Sequence, residues 1–194
     1  MREITSNEMR LILALFKSPE IDYHAQALAR FLEISAMGAL KIARRLEKEG
    51  LLNSKWIGRA KIYEVNMKNA YVRDYICFLL KKEAEEALAH VKMWIHELQS
   101  TCSADIAIVF GSLLRKKDAR DVDVLFVVSQ KKFKALKLEI DKINRMNMQQ
   151  IHPLFQSKQD VLRNVKKEDK ILLNALKGIV AFGHEKLIDL VLSK

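Results

Sequence analysis

Cysteine is nearly absent from this chain: 194 residues contain 2, Cys77 and Cys102, both in helix-like sequence. That excludes a disulfide framework and a cysteine-based zinc site, and it suits a reducing compartment such as the cytoplasm. Proline (2) and glycine (6) are also scarce, while hydrophobic residues make up 49% and charged residues 30%. Such a composition can bury a core and is neither collagen-like nor broadly disordered. No stretch approaches the roughly 20 apolar residues of a membrane span. The opening Met1-Arg2-Glu3-Ile4 has no apolar run behind a basic start, so no secretory leader is expected.

Positive charge is plentiful. Lys and Arg number 34 against 24 Asp and Glu, a formal net charge of +10. Residues 1–67 contribute +3, residues 68–102 are neutral, and residues 103–194 contribute +7. A surplus of this kind favours an anionic partner, whether nucleic acid, nucleotide or acidic protein. It also serves solubility alone.

The first third of the chain has the order helix, helix, helix, hairpin. Met9, Ile12, Leu13 and Phe16 fall at helical spacing behind Ser6, a candidate cap, and Ser18-Pro19 ends that segment. Asp22 is placed to cap a second helix carrying Ala25, Leu28, Ala29 and Leu32. Ser35 is placed to cap a third, which runs to Glu49 and stops at Gly50. Two strand-like runs follow, Leu51 to Ile57 and Lys61 to Asn66, around Gly58-Arg59-Ala60. The third helix has a basic side (Lys41, Arg44, Arg45, Lys48) and an apolar side (Leu40, Ile42, Ala43, Leu46).

This segment, over about residues 5–67, resembles the winged helix-turn-helix family of DNA-binding domains, down to the Arg44–Leu52 ending RRLEKEGLL. The resemblance implies a third helix in the major groove and a hairpin wing on the backbone or minor groove of double-stranded DNA. It puts Ser35, Lys41, Arg44 and Arg45 on the DNA side of the helix, and Lys55, Arg59 and Lys61 on the wing. Docking of a protein partner is the competing use of such a module. Trp56 and Trp94 are expected to pack in the wing and a helix rather than stack on bases.

Residues 68–102 contain no proline or glycine and keep an apolar stripe through Val72, Ile76, Leu79, Ala87, Val91, Ile95 and Leu98. One connecting helix, or two joined by a bend, is expected here. The stripe is longer than a small domain needs, and winged-helix regulators commonly read two half-sites, so a homodimer is expected as well.

From residue 103 strands and helices alternate. The informative stretch is Phe110-Gly111-Ser112, eight further residues, then Asp121-Val122-Asp123-Val124. Alternate residues of a strand share a face, so Asp121 and Asp123 point the same way while the valines point into the core. Two adjacent carboxylates call for a hard cation such as Mg²⁺. Gly111 lets backbone N–H groups approach an anion, Ser112 adds a hydroxyl, and a helix starting there adds a positive end. Lys116-Lys117 lie between these elements, where they contact a triphosphate or simply face water. His24, His90, His96, His152 and His184 are scattered and write no metal cluster.

These residues resemble the nucleotidyltransferase superfamily of the DNA polymerase β type, and within it the small prokaryotic minimal nucleotidyltransferases, over about residues 103–192. The tail Leu176–Gly183 is similar to the family's last strand. The resemblance implies Mg²⁺ or Mn²⁺ on Asp121 and Asp123 as catalytic carboxylates. It further implies a nucleoside triphosphate on Gly111, Ser112 and Lys116, and transfer of a nucleoside monophosphate to a protein or nucleic-acid acceptor. In family members from toxin–antitoxin pairs the acceptor is a partner protein. One departure stands out: the later strand that should bring a third carboxylate, Gln149–Phe155, has no Asp or Glu. His152 is near that position with Gln150 beside it. It either substitutes there as a base, or sits idle before Pro153 at a strand end.

The expected architecture is therefore α+β. It comprises a winged helix-turn-helix domain (1–67), a connecting helix (68–102) and a nucleotidyltransferase-like α/β domain with a small mixed sheet (103–194). The rival reading is a non-catalytic transcription regulator whose degenerate transferase domain senses a nucleotide or docks a partner.

Overall fold

A computed structural model describes residues 4–192, the side chain of Ala70 excepted. The fold is α+β, and the chain divides into two compact units, Met1–Leu79 and Leu80–Lys194. Among the described residues no helix is long and apolar enough to cross a membrane.

In the first unit the order of elements is the expected one. Helix α1 spans Ser6–Lys17 and buries Leu11, Ile12, Leu13 and Phe16. Its cap is Thr5, not Ser6. The Thr5 side chain accepts the Glu8 N–H at 3.3 Å, and the Glu8 carboxylate accepts the Thr5 N–H at 2.9 Å. That reciprocal box needs an acid three residues past the cap, and only Thr5 has one. Helix α2, Ala25–Leu32, begins after His24 rather than Asp22. The His24 ring nitrogen Nδ1 accepts the Ala27 N–H at 3.4 Å, and a bridge to Ile62 holds His24 extended. Helix α3, Ala36–Lys48, is capped by Ser35, which accepts the Gly38 N–H at 3.0 Å, and it buries Ala39, Ala43 and Leu46. Strands β1 (Leu52–Ile57) and β2 (Ala60–Val65) pair antiparallel from Leu52↔Val65 to Ile57↔Ala60. Gly58, at φ +58°, makes the turn between them.

The stretch 68–102 contains two helices, α4 (Ala70–Glu85) and α5 (Ala89–Leu98), with a break ending at Leu88 in extended conformation. The apolar stripe expected to pair two copies does a different job. Val72, Ile76, Leu79, Val91, Ile95 and Leu98 are all buried within the single chain. Val91, Ile95 and Leu98 belong to the core of the second unit. Core burial stabilises by roughly 1.5–3 kcal/mol per large side chain, so these six residues are accounted for without a second copy.

The second unit is built on one mixed sheet, ordered β5-β4-β3-β6. Its strands are β3 (Ile106–Phe110), β4 (Asp121–Val127), β5 (Gln150–Gln156) and β6 (Ile179–Phe182). Strand β3 is antiparallel to β4 and β6, and β4 is parallel to β5. Every side chain of Ile106–Phe110 is buried, as an inner strand covered on both faces requires. One face, through Val109, Val124 and Phe126, shares a core with α5 and with Leu136, Ile140 and Ile143 of α6 (Phe133–Met146). Helices α8 (Lys170–Leu176) and α9 (His184–Leu192) also lie against β3, and α7 (Lys158–Lys166) lies against β5.

Candidate functional site

The end of β3 and the start of β4 meet because the two strands run antiparallel, with Phe110 opposite Asp123. Gly111 follows at φ +78°, a conformation that favours glycine. Space demands glycine there as well. A Cβ on residue 111 would lie 2.1 Å from Oδ2 of Asp123. The Gly111 backbone is thus closed directly against the Asp123 carboxylate. Asp121 is exposed at the first position of β4 and, among the described residues, has no ion-pair partner.

Strand β5 completes the edge. Its parallel register sets Gln150 beside Asp121 and His152 beside Asp123. His152 is the third residue of a seven-residue strand, not a strand end before Pro153. Its side chain is 78% exposed, and Nδ1 is 3.2 Å from Oδ1 of Asp123. The position expected to bring a third carboxylate therefore brings an imidazole in contact with the second aspartate.

The turn at Ser112 is less than a helix. Only a single 3-10 turn, Gly111–Leu114, forms there, so no helix dipole is added. The turn is fastened from two sides. The Ser112 carbonyl accepts the N–H groups of Arg115 and Lys116 at 3.0 Å, and a ring nitrogen of His90 bonds the Leu113 carbonyl at 2.9 Å. Ser112, Lys116 and Lys117 are exposed on this edge. The lead into β4 is held by Gln149. Its amide nitrogen donates to the Ala119 carbonyl, and its oxygen accepts the Trp94 indole N–H at 3.1 Å. His90 and Gln149 went unnoticed as supports because their partners lie 23 and 30 residues away in the chain.

A divalent cation fits this edge in chemistry. Two carboxylates on one face offer hard oxygen donors, and an open edge leaves room for phosphate oxygens to fill the remaining positions. Among the described residues no group of three or more His, Cys, Asp or Glu side chains converges as a metal cluster.

The basic face of the first unit looks different once its partners are traced. Arg45 donates to Glu8, whose carboxylate is 0% exposed, while the Arg45 side chain itself stays 44% exposed. Ser35 is occupied as the α3 cap. Lys61 pairs with Glu47 at 2.8 Å and Lys55 with Glu64 at 3.3 Å. The Lys61 hydrogen bond, with a second from Ser54, holds the Glu47 carboxyl below its ordinary range. Lys41, Arg44 and Arg59 are exposed and, among the described residues, form no ion pair. Trp94 is a packing residue at 1% exposure, but Trp56 on β1 is 70% exposed and packs far less than expected.

Comparison with known proteins finds no matching family model, no matching curated protein and no matching solved structure.

Proposed function

We propose that the second unit binds a divalent-metal nucleoside triphosphate in the manner of a nucleotidyltransferase, and that the first unit is a winged helix-turn-helix module that binds double-stranded DNA. The observation that carries the first half is the closure of Gly111 on Asp123. A glycine with positive φ is fitted against the carboxylate of one of two same-face aspartates, which brings backbone and acid together at the meeting strand ends. In this reading Asp121 and Asp123 hold Mg²⁺ or Mn²⁺. The backbone at Gly111, the Ser112 hydroxyl and Lys116 receive phosphate oxygens. A bound cation supplies the charge that a triphosphate needs to approach two carboxylates. For the first unit, Lys41, Arg44 and Arg59 supply the phosphate contacts.

Turnover is a separate matter. His152 brings no negative charge to the place of a third acid, and it is already in contact with Asp123. That observation favours a second reading, in which the chain is a regulator that binds nucleotide without transferring it efficiently. Incubation with labelled ATP and Mg²⁺ separates the two. Slow self-labelling, or labelling of a partner, that rises in His152→Asp and vanishes in Asp121→Ala with Asp123→Ala supports transfer. Nucleotide binding without label in either the wild type or His152→Asp supports the regulator.

A further inference from the structure

The first unit holds a groove of about 720 Å³ between the start of α2, α3 and the hairpin. Its lining includes Leu40 and Arg44 of α3 with Trp56, Arg59, Lys61 and Tyr63 of the hairpin. Alternation along the strands explains the set. Trp56 lies opposite Lys61 in the register, and Ser54 opposite Tyr63. These pairs share one face of the hairpin, and the bonds from Ser54 and Lys61 to Glu47 turn that face toward α3. Trp56 is thus part of the groove wall, yet its indole remains 70% exposed. Tyr63 beneath it is buried, its ring under the Lys61 ammonium at 5.3 Å, and its hydroxyl has no hydrogen-bond partner among the described residues. A large uncovered aromatic face and two open guanidinium groups line one volume. Packing of the unit itself uses none of them.

We infer that this groove seats an unpaired nucleobase of a nucleic-acid strand, stacked on Trp56, with the flanking phosphates on Arg44 and Arg59. The inference rests on the reading of the first unit as a DNA-binding module and names what its groove recognises. The charges require an anionic occupant, and the indole face requires a planar one. A base inside a duplex shows only its edges in either groove, so the open aromatic face of Trp56 is stacked upon by a base that has left its stack. Insertion of the hairpin as a wedge between base pairs is the alternative geometry. The exposed Ile57 and Trp56 beside the Gly58-Arg59 turn are the apolar residues it would use, and the blunt-duplex titration tests it.

The two tryptophans make the test direct, because Trp94 is buried and only Trp56 can respond to an occupant of the groove. The full chain is titrated at low salt with a short oligothymidylate and, separately, with a blunt duplex, while tryptophan emission and anisotropy are followed. The inference predicts saturable quenching of the exposed indole by the single strand. It also predicts at least a fivefold weakening of single-strand affinity in Trp56→Ala, about the least that loss of one stacked base produces, and partial recovery in Trp56→Phe. Equal single-strand affinity in wild type and Trp56→Ala, or binding without a change in emission, overturns it. If the duplex still binds through Arg44 in that case, the DNA-binding reading stands and only the groove assignment falls. If neither nucleic acid binds, both fall.

Discussion

The α3–hairpin face of the first unit and the β4 edge of the second treat their charges in opposite ways, although the second unit pairs Asp105 with Lys186 and Asp160 with Arg163 elsewhere. In the first, acids are matched to cations: Glu8 to Arg45, Glu47 to Lys61, Glu64 to Lys55. Of seven side chains expected to face DNA, four have a partner within the chain (Ser35 as a cap, Arg45, Lys55 and Lys61 in ion pairs), which leaves Lys41, Arg44 and Arg59 without one among the described residues. In the second unit Asp121 has no ion-pair partner among the described residues, and Asp123 meets only a histidine. Exposed surface pairs contribute little to stability, so pairing at the hairpin is inexpensive to the fold and mainly trims the surface potential. Unpaired neighbouring carboxylates repel and gain nothing for folding. The contrast teaches that a count of charges indicates a class of partner, whereas the pairing pattern indicates which residues remain to meet it.

The largest expected effect sharpens the second half of this comparison. Gly111→Ala places a Cβ on the Asp123 carboxylate and forces an alanine into left-handed backbone. A loss of about 2–3 kcal/mol in chemical denaturation is expected, together with loss of metal-nucleotide binding. Unchanged stability and binding would mean that the close approach has no bearing on the site.

Arg45→Ala comes next. It removes one ion-pair partner of a buried Glu8, and the fold should lose about 2 kcal/mol, below the usual range for a buried pair. Two features limit the loss: Arg45 is itself 44% exposed, and Thr5 still donates to Glu8. Arg44→Ala, one residue away on the same helix, should change stability by less than about 0.5 kcal/mol. Equal losses in the two variants would contradict the assignment of one arginine to the fold and the other to a partner.

The smallest effect concerns the open cations. Arg44→Ala should flatten the dependence of duplex binding on log salt by about one unit, the slope of a single phosphate contact. An unchanged slope would move the DNA surface away from α3.

The order of elements was legible because periodicity and breakers are local properties. Leu11, Ile12 and Phe16 mark α1, the valines beside Asp121 and Asp123 mark β4, and Gly58 marks the hairpin turn. Caps were less legible. Thr5 and Ser6 are adjacent and chemically alike, and the choice falls to the residue that has Glu8 three positions on. Long-range pairing was not legible in local pattern, and only the resemblance brought His152 near the aspartates. The partner of Arg45 lies 37 residues away, and the register that sets His152 beside Asp123 spans 29. The stripe from Val72 to Leu98 was visible as apolar, but an apolar stripe looks the same whether a second copy or the chain's own core covers it. Trp56 escaped for the converse reason: aromatic identity suggests burial, and only the fold reveals the open face.

Calorimetric titration of the intact chain with a non-hydrolysable nucleoside triphosphate, in Mn²⁺ and in chelator, tests the acidic pair most directly. The account predicts saturable, metal-dependent binding that disappears in Asp121→Ala with Asp123→Ala while thermal stability is kept or raised. Equal affinity in the double variant, or binding indifferent to the metal, would contradict it.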